Sequence, residues 1–421
     1  NYVALSGISS TQFQMVLSND RDSVTNSNIS VNATPATGFE GNDTVSLPFA
    51  VTIGTVDLLG GNDSLTLFNG TNVLTVANTE TITGRSFNDI VTLATTMTNG
   101  SVNLGGGTDL LQLASGTNSL NATGIETIMG TSSNDTLTLN NTQSGTIIDL
   151  DSGTDTLNLA TGTNTISVMG AETINGTSLN DTLRLNNTQL GTTINLSSGN
   201  DTLYLAAGTN SINAGSIETI YGTTSNDTLT LLNNQLNTII DLEGGNDTLN
   251  LAAGLNTISV RDTETIMGSN TIDQLTISNA QSGVTINLGN GDDRLTLNGV
   301  GNTVTVLNIE TIYGSTGNDV ITVDTSLNTI PTSGIVDLAA GNDTLILNGV
   351  GNTVTVDKIE TIIGGTGNDF IILQSVVSNM TLNLGAGNDT LSLAAGTNSL
   401  SATDVEAIIS SGSNDTLTLN N

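Results

Sequence analysis

Aliphatic residues stand two and four positions after an aspartate at seventeen places along the chain. Val45 and Leu47 follow Asp43, Leu65 and Leu67 follow Asp63, Leu137 and Leu139 follow Asp135, and the series runs on to Leu417 and Leu419 after Asp415. The positions between are mostly Thr, Ser or Asn. Alternation of period two with β-branched polar residues on the outer side predicts a half-buried strand after each aspartate. No segment carries the 3.6-residue period of an amphipathic helix, so helix is expected to be nearly absent.

The aspartates are Asp43, Asp63, Asp89, Asp109, Asp135, Asp155, Asp181, Asp201, Asp227, Asp247, Asp273, Asp293, Asp319, Asp343, Asp369, Asp389 and Asp415. Successive spacings alternate between 20 and 26, so every other member is separated by 46 residues, apart from 50-residue steps from Asp293 to Asp343 and from Asp319 to Asp369, which share one lengthened spacing. A fixed period of this kind predicts stacked repeats in which each unit contacts its neighbours. In the shorter half of the repeat, Asp135-Thr-Leu-Thr-Leu139 is followed by Thr146-Ile-Ile-Asp-Leu150. In the longer half, Asp155-Thr-Leu-Asn-Leu159 leads to Asn164-Thr-Ile-Ser-Val168 and Glu172-Thr-Ile174. Gly, Asn and Ser clusters fill the turns between them.

The expected fold is an all-β parallel solenoid, a β-roll or β-helix built on a 46-residue double repeat. Two coil geometries fit: about 23 residues per rung with short and long halves stacking alternately, or all 46 in one wide rung. The first is preferred, because five strands in a rung would enclose more space than Leu, Ile and Val fill at a sheet separation of about 10 Å. Residues 1–42 read as an irregular N-terminal lead-in or decayed repeat, with Ser18-Asn19-Asp20 echoing the later turns and Pro35 and Pro48 nearby. Residues 43–421 read as a continuous solenoid. The extra residues between Asp324 and Ser333, with Pro331, should bulge outward and leave the stack intact.

Charge narrows the partners. With 39 acidic residues against 6 Lys plus Arg, the formal charge is −33, which makes nucleic acid and anionic membranes poor partners and a cation the natural one. The absence of Cys and His excludes disulfides, zinc fingers and imidazole acid–base chemistry. No apolar run is long enough to span a membrane. Asn1–Ser10 lacks the basic and apolar regions of a secretory leader, and the chain, beginning without Met, reads as a segment or processed form of something longer.

Gly364-Gly365-Thr366-Gly367-Asn368-Asp369-Phe370-Ile371-Ile372 fits the pattern Gly-Gly-x-Gly-x-Asp-x-apolar-x at every defined position. Leu384-Gly-Ala-Gly-Asn-Asp389-Thr-Leu391 and Leu288-Gly-Asn-Gly-Asp-Asp293-Arg-Leu295 approach it closely. These motifs resemble the nonapeptide of the RTX, or hemolysin-type calcium-binding, repeat family. The resemblance covers roughly residues 40–421, and it implies a parallel β-roll with calcium held between neighbouring rungs by loop carbonyls and the motif aspartate. Carried over by position, the ligands would be Asp369 with the carbonyls of Gly364 and Thr366, and in the weaker copies Asp43, Asp63, Asp201, Asp247, Asp293, Asp319, Asp343 and Asp389. The spacing departs from tandem nonapeptides, most copies lack the first two glycines, and Thr108, Thr154 and Ile272 replace the Asn that precedes Asp elsewhere.

Independently of the resemblance, carboxylates stacked at rung spacing repel, and a hard cation with six to eight oxygen ligands relieves that repulsion. The competing reading is that Asn-Asp is only a turn former, with Asp accepting backbone N–H groups. A second ladder, Glu80, Glu126, Glu172, Glu218, Glu264, Glu310, Glu360 and Glu406, recurs with the repeat. Eight equivalent copies point to structure and not to a glycosidase pair, since an active site breaks repeat symmetry. The Asn-Asp-Thr triplets also match the glycosylation acceptor pattern, and turn geometry explains them.

The function expected from sequence is that of a secreted or cell-surface calcium-binding structural protein. It would be non-enzymatic, forming a rigid rod that self-associates head-to-tail or laterally into a surface layer, filament or matrix. The alternatives are a spacer in a large RTX adhesin and a non-catalytic repeat module of a polysaccharide-modifying enzyme. Ice binding by the Thr ladders is a further option, tested by thermal hysteresis.

Overall fold

The structure is a computed structural model that describes residues 13–15, 23–24, 41–47, 50–324, 334–347, 349 and 351–420. The expectations placed on Ser18–Asp20, Pro35, Pro48 and Pro331 lie outside the described residues. The chain divides into two compact units, residues 1–206 with 215–217 and residues 207–214 with 218–421.

Both units are parallel β-solenoids. The described residues form 43 strands, from β1 (Phe13–Met15) to β43 (Thr416–Asn420), and no helix. In each unit, odd-numbered strands build one sheet and even-numbered strands the other, so each coil contributes one short strand to each. β3 (Thr44–Ser46) pairs in parallel with β5 (Ser64–Thr66), and β5 with β7 (Thr81–Arg85). On the other sheet β4 (Gly54–Asp57) pairs with β6 (Val73–Ala77), and β6 with β8 (Ile90–Leu93). The short strands at the start behave likewise: β2 (Ser23–Val24) pairs with β3, and β1 with β4.

The aliphatic pairs after the aspartates point inward, as the alternation requires, except after Asp415, where Leu419 is exposed. Val45, Leu65, Ile82, Leu137, Leu157 and Ile174 are completely buried, and each lies opposite its counterpart in the register of the next coil. Stacking like on like at about 4.8 Å lets one apolar column fill the narrow space between the two sheets. Outside, Thr136, Thr156, Thr173 and Thr193 form a ladder on one sheet.

The register corrects the expected coil length of about 23 residues. Thr44 lies opposite Ser64, and Ser64 opposite Thr81, offsets of 20 and 17 residues. Five coils separate Asn72 from Asn164, 92 residues, so the coil averages about 18 residues, the length of two nonapeptides. The 46-residue repeat is therefore two and a half coils, and consecutive repeats begin on opposite sheets. The short and long halves do not stack alternately. A pair 20 residues apart, such as Asp43 and Asp63, is stacked, whereas a pair 26 apart, such as Asp63 and Asp89, lies on different sheets.

The lengthened step is absorbed within one coil. Thr311 lies opposite Ile335 and Val320 opposite Thr344, an offset of 24 in place of 20, and pairing continues beyond it.

Candidate metal centre in the stacked corners

At the corner where each strand begins, the stacked side chains form a column with an ordered repeat. In the first unit, one column reads Asn72, Asp89, Asp109, Glu126, Gln143, Asn164, Asp181. The other, on the opposite sheet, reads Asp43, Asp63, Glu80, Met97, Asn118, Asp135, Asp155, Glu172. From Asp63 and Asn72 onward, each Asp, Asn and Glu of these columns accepts the backbone N–H of the residue one coil earlier through a side-chain oxygen. Asp43 donates to Oδ1 of Asp63 at 2.7 Å, and Asp63 to Oε2 of Glu80 at 2.7 Å. Asn118 donates to Oδ1 of Asp135 at 2.8 Å, Asp135 to Asp155 at 2.6 Å, and Asp155 to Oε2 of Glu172 at 2.7 Å.

The second unit repeats the scheme through Asp273 to Asp293, Asp319 to Asp343 and Asp369 to Asp389, each at 2.7 Å. The motif aspartates thus do what the turn reading requires, and Glu80, Glu126, Glu172, Glu264, Glu310, Glu360 and Glu406 continue the same ladder.

The predicted ligands come together in part. Asp43 with Asp63, Asp319 with Asp343, and Asp369 with Asp389 are stacked pairs. Asp201, Asp247 and Asp293 stack on Asp181, Asp227 and Asp273. Gly364 has a different task. A Cβ there would stand 2.2 Å from the carbonyl oxygen of Leu384 in the next coil, so glycine is what lets the two backbones approach. Gly84 against Leu104 and Gly176 against Leu196 repeat this contact. Thr366 is exposed, and Gly365 donates to Oδ2 of Asp369 at 3.5 Å.

The substitutions of the preceding Asn also resolve. Asn42, Asn88 and Asn134 accept the N–H of Asn62, Thr108 and Thr154 through Oδ1 at 2.9–3.0 Å. Thr108 and Thr154 occupy the donor coil, where only the backbone is used, and replacing Asn there forfeits nothing. Ile272 occupies the acceptor coil and cannot make the bond.

Burial makes these carboxylates unusual. Sixteen of the seventeen motif aspartates are at most 2% exposed. In the second member of each pair, Oδ1 takes the N–H of the first, while Oδ2 of Asp63, Asp109, Asp155, Asp247, Asp293, Asp343 and Asp389 has no hydrogen-bond partner. First members vary: Oδ2 of Asp227, Asp273 and Asp319 accepts the N–H of Thr223, Ser269 and Ser315 in its own loop, whereas Oδ2 of Asp135 and Asp181 has no hydrogen-bond partner. Desolvation pushes the second members up, to about 6 for Asp109, Asp155, Asp247 and Asp343 and to about 7 for Asp293, with the flanking Asp and Glu charges adding to it. A buried carboxylate oxygen without a donor costs on the order of 1–3 kcal/mol or more, and a proton or a cation removes that cost.

Five segments of the chain, residues 121–141, 191–216, 308–325, 356–373 and 381–402, match the family described as the RTX calcium-binding nonapeptide repeat (4 copies). The chain carries RTX-type repeats. Its coil of about two nonapeptides accounts for the match where the 20- and 26-residue spacings hide the tandem arrangement. No curated protein and no solved structure matches the chain.

The residues fit the calcium that RTX repeats imply. The donors are hard oxygens, in seven of the pairs one of them is buried and unpartnered, and adjacent carboxylates lie one coil apart. Among the described residues no three carboxylates converge on one point. The Asp–Asp–Glu triplet is a line, so a bound ion would need loop carbonyls and water to complete its shell.

Residues that sequence reasoning missed are the neutral members of the columns. Asn72, Asn118, Asn164, Asn210, Asn256, Asn302, Asn352 and Asn398 occupy the place that aspartate takes elsewhere, and Gln143, Gln189, Gln235 and Gln281 follow the Glu. The available signal was the 46-residue recurrence of Gly-x-Asn before an apolar alternation, as in Gly162-Thr-Asn164, a counterpart of Gly-x-Asp in Gly153-Thr-Asp155.

Proposed function

We propose that this RTX repeat chain is a non-catalytic, extracellular structural element that takes up calcium at its paired aspartate tiers and assembles with further copies into a surface layer, filament or matrix. The observation that carries the reading is the buried, partnerless Oδ2 of the second aspartate in seven of the pairs, placed between two further carboxylates. Asp63, Asp109, Asp155, Asp247, Asp293, Asp343 and Asp389, with the aspartate stacked on each and nearby loop carbonyls, would hold the ion. Bound calcium supplies positive charge to carboxylates about 4.8 Å apart, joining successive coils where they otherwise repel.

Assembly follows from charge and surface. At a formal charge of −33, copies repel one another, and divalent cations lower that barrier. The outer Thr ladders, such as Thr136 to Thr193, then present a flat and uncharged face to a neighbour. Sites of extracellular type work at calcium concentrations of roughly millimolar order.

The test is far-UV circular dichroism with sedimentation, before and after chelation and again after calcium is restored. Loss and recovery of sheet signal or of assembly supports the proposal. An unchanged signal after verified metal removal overturns the calcium part. A structured protein that stays monomeric in calcium overturns assembly and favours a spacer.

A further inference from the structure

The eight asparagines that replace aspartate are the most informative positions in the columns. In Asn118, Nδ2 lies 2.8 Å from the carbonyl oxygen of Ala114, 2.8 Å from that of Gly116 and 2.9 Å from Oδ1 of Asp135 in the next coil. Asn164 repeats this on the opposite sheet, with Ala160, Gly162 and Oδ1 of Asp181 at 2.9, 3.0 and 2.8 Å. Asn72, Asn256 and Asn398 have the same three partners in their own coils. All eight asparagines are at most 2% exposed.

Three oxygens, two from loop carbonyls and one from a carboxylate, therefore converge on one nitrogen. An amide NH₂ carries two hydrogens for the three acceptors. Two loop carbonyls and a carboxylate are the donor types that a hard cation recruits. Oδ1 of the same residue remains an acceptor for the preceding coil: Met97 donates to Asn118 at 3.1 Å and Gln143 to Asn164 at 3.1 Å. The asparagine thus does two things at once. It continues the N–H ladder, as aspartate does, and it fills the oxygen cage from within.

We infer that these asparagine amides are built-in cation substitutes, so that the Asn tiers clasp neighbouring coils without metal and calcium uptake is confined to the Asp–Asp tiers. The contrast rests on the calcium reading of the aspartate tiers. The cage itself does not. The arrangement gives each 46-residue repeat one metal-free clasp and one aspartate pair, with successive clasps on opposite sheets.

The test compares the full chain with Asn118→Asp and Asn164→Asp, single changes on opposite sheets of one unit. Calcium binding is counted by equilibrium dialysis, and thermal midpoints are measured in chelator and in calcium. Each variant is expected to bind one calcium more than the parent, to melt earlier in chelator, and to recover in calcium. A variant that binds no more calcium than a calcium-binding parent overturns the inference and leaves the aspartate reading standing. A variant that gains a calcium when the parent binds none upholds the cage and overturns the aspartate reading.

Amide exchange in the unaltered chain gives an answer even where the variants fail to fold. In chelator, the N–H groups of Met97 and Gln143, held by Asn118 and Asn164, are expected to stay protected, while those of Asp63 and Asp109, in the aspartate tiers, exchange faster. Equal exchange at the two kinds of tier overturns the inference.

Discussion

Met97 occupies the space that a side chain on Gly100 would need: a Cβ on Gly100 would stand 2.1 Å from both Sδ and Cγ of Met97. In the next repeat the same places hold Gln143 and Thr146, whose side chains hydrogen-bond to each other at 2.8 Å inside the bend, and Gln189 with Thr192 and Gln235 with Thr238 do the same. A long apolar residue with glycine thus replaces a hydrogen-bonded Gln–Thr pair of similar total volume. Gly100→Thr alone should destabilise its coil by about 1–3 kcal/mol through overpacking. Met97→Gln with Gly100→Thr should recover most of this, and a double-mutant cycle on denaturation midpoints measures the coupling.

Asp155→Asn keeps the acceptor that Asp135 needs and replaces a charged, partnerless oxygen with a neutral amide. In chelator it should stabilise the tier, by about 1–3 kcal/mol, and it should abolish calcium binding there. Asp155→Ala leaves the N–H of Asp135 unpaired and should destabilise the protein in either condition. Thermal melts with and without calcium separate the two variants.

Acidity should substitute for calcium. The buried carboxyls of Asp109, Asp155, Asp247 and Asp343 titrate at about 6 and that of Asp293 at about 7, against an ordinary value of 3.8. The folded chain therefore binds protons that the unfolded chain has released. The resulting stability is fully present below the unfolded value and is lost as pH rises through 6 to 7. In chelator, the melting midpoint should be higher at about pH 5 than at about pH 8, and the gain from added calcium should be smaller at the lower pH. A midpoint that rises with pH over this range would contradict the assignment.

Ile272→Asn should restore the bond that its corner lacks. The N–H of Asp292 would gain the Oδ1 acceptor that Asn42 offers Asn62, for a gain of about 0.5–1.5 kcal/mol. Ile272 is exposed, so little apolar burial is given up. Slower exchange of the Asp292 amide would be the direct readout.

The strands, their inward face and the parallel stacking were legible in the chain, because alternation of period two and a long-range period are both local in sequence. The pairing of Asp43 with Asp63 was legible as a spacing of 20. The spacing of 26 misled, because Asp63 and Asp89 look like the same event while half a coil places them on different sheets. Two unlike offsets, 17 and 20, averaged with the bend near Gln143, cannot be recovered from a single 46-residue period.

The asparagines at 118 and 164 were hidden for a related reason. A column of stacked corners mixes Asn, Asp, Asp, Glu and Gln, and only the register reveals that these four residue types occupy one kind of place.

By itself, the sequence determined what each residue could do: Leu, Ile and Val at every second position to be buried, Thr outside, glycine where backbones meet, aspartate and asparagine at the corners. Tertiary structure decided which corners meet. Stacking at about 4.8 Å turns a turn-forming aspartate into a buried carboxylate, because its neighbours above and below exclude water from Oδ2. The same stacking sets the amide of Asn118 among three oxygens contributed by two different coils. Chemistry is local to the residue, but desolvation and the approach of like charges arise only when coils a dozen or more residues apart are brought into register.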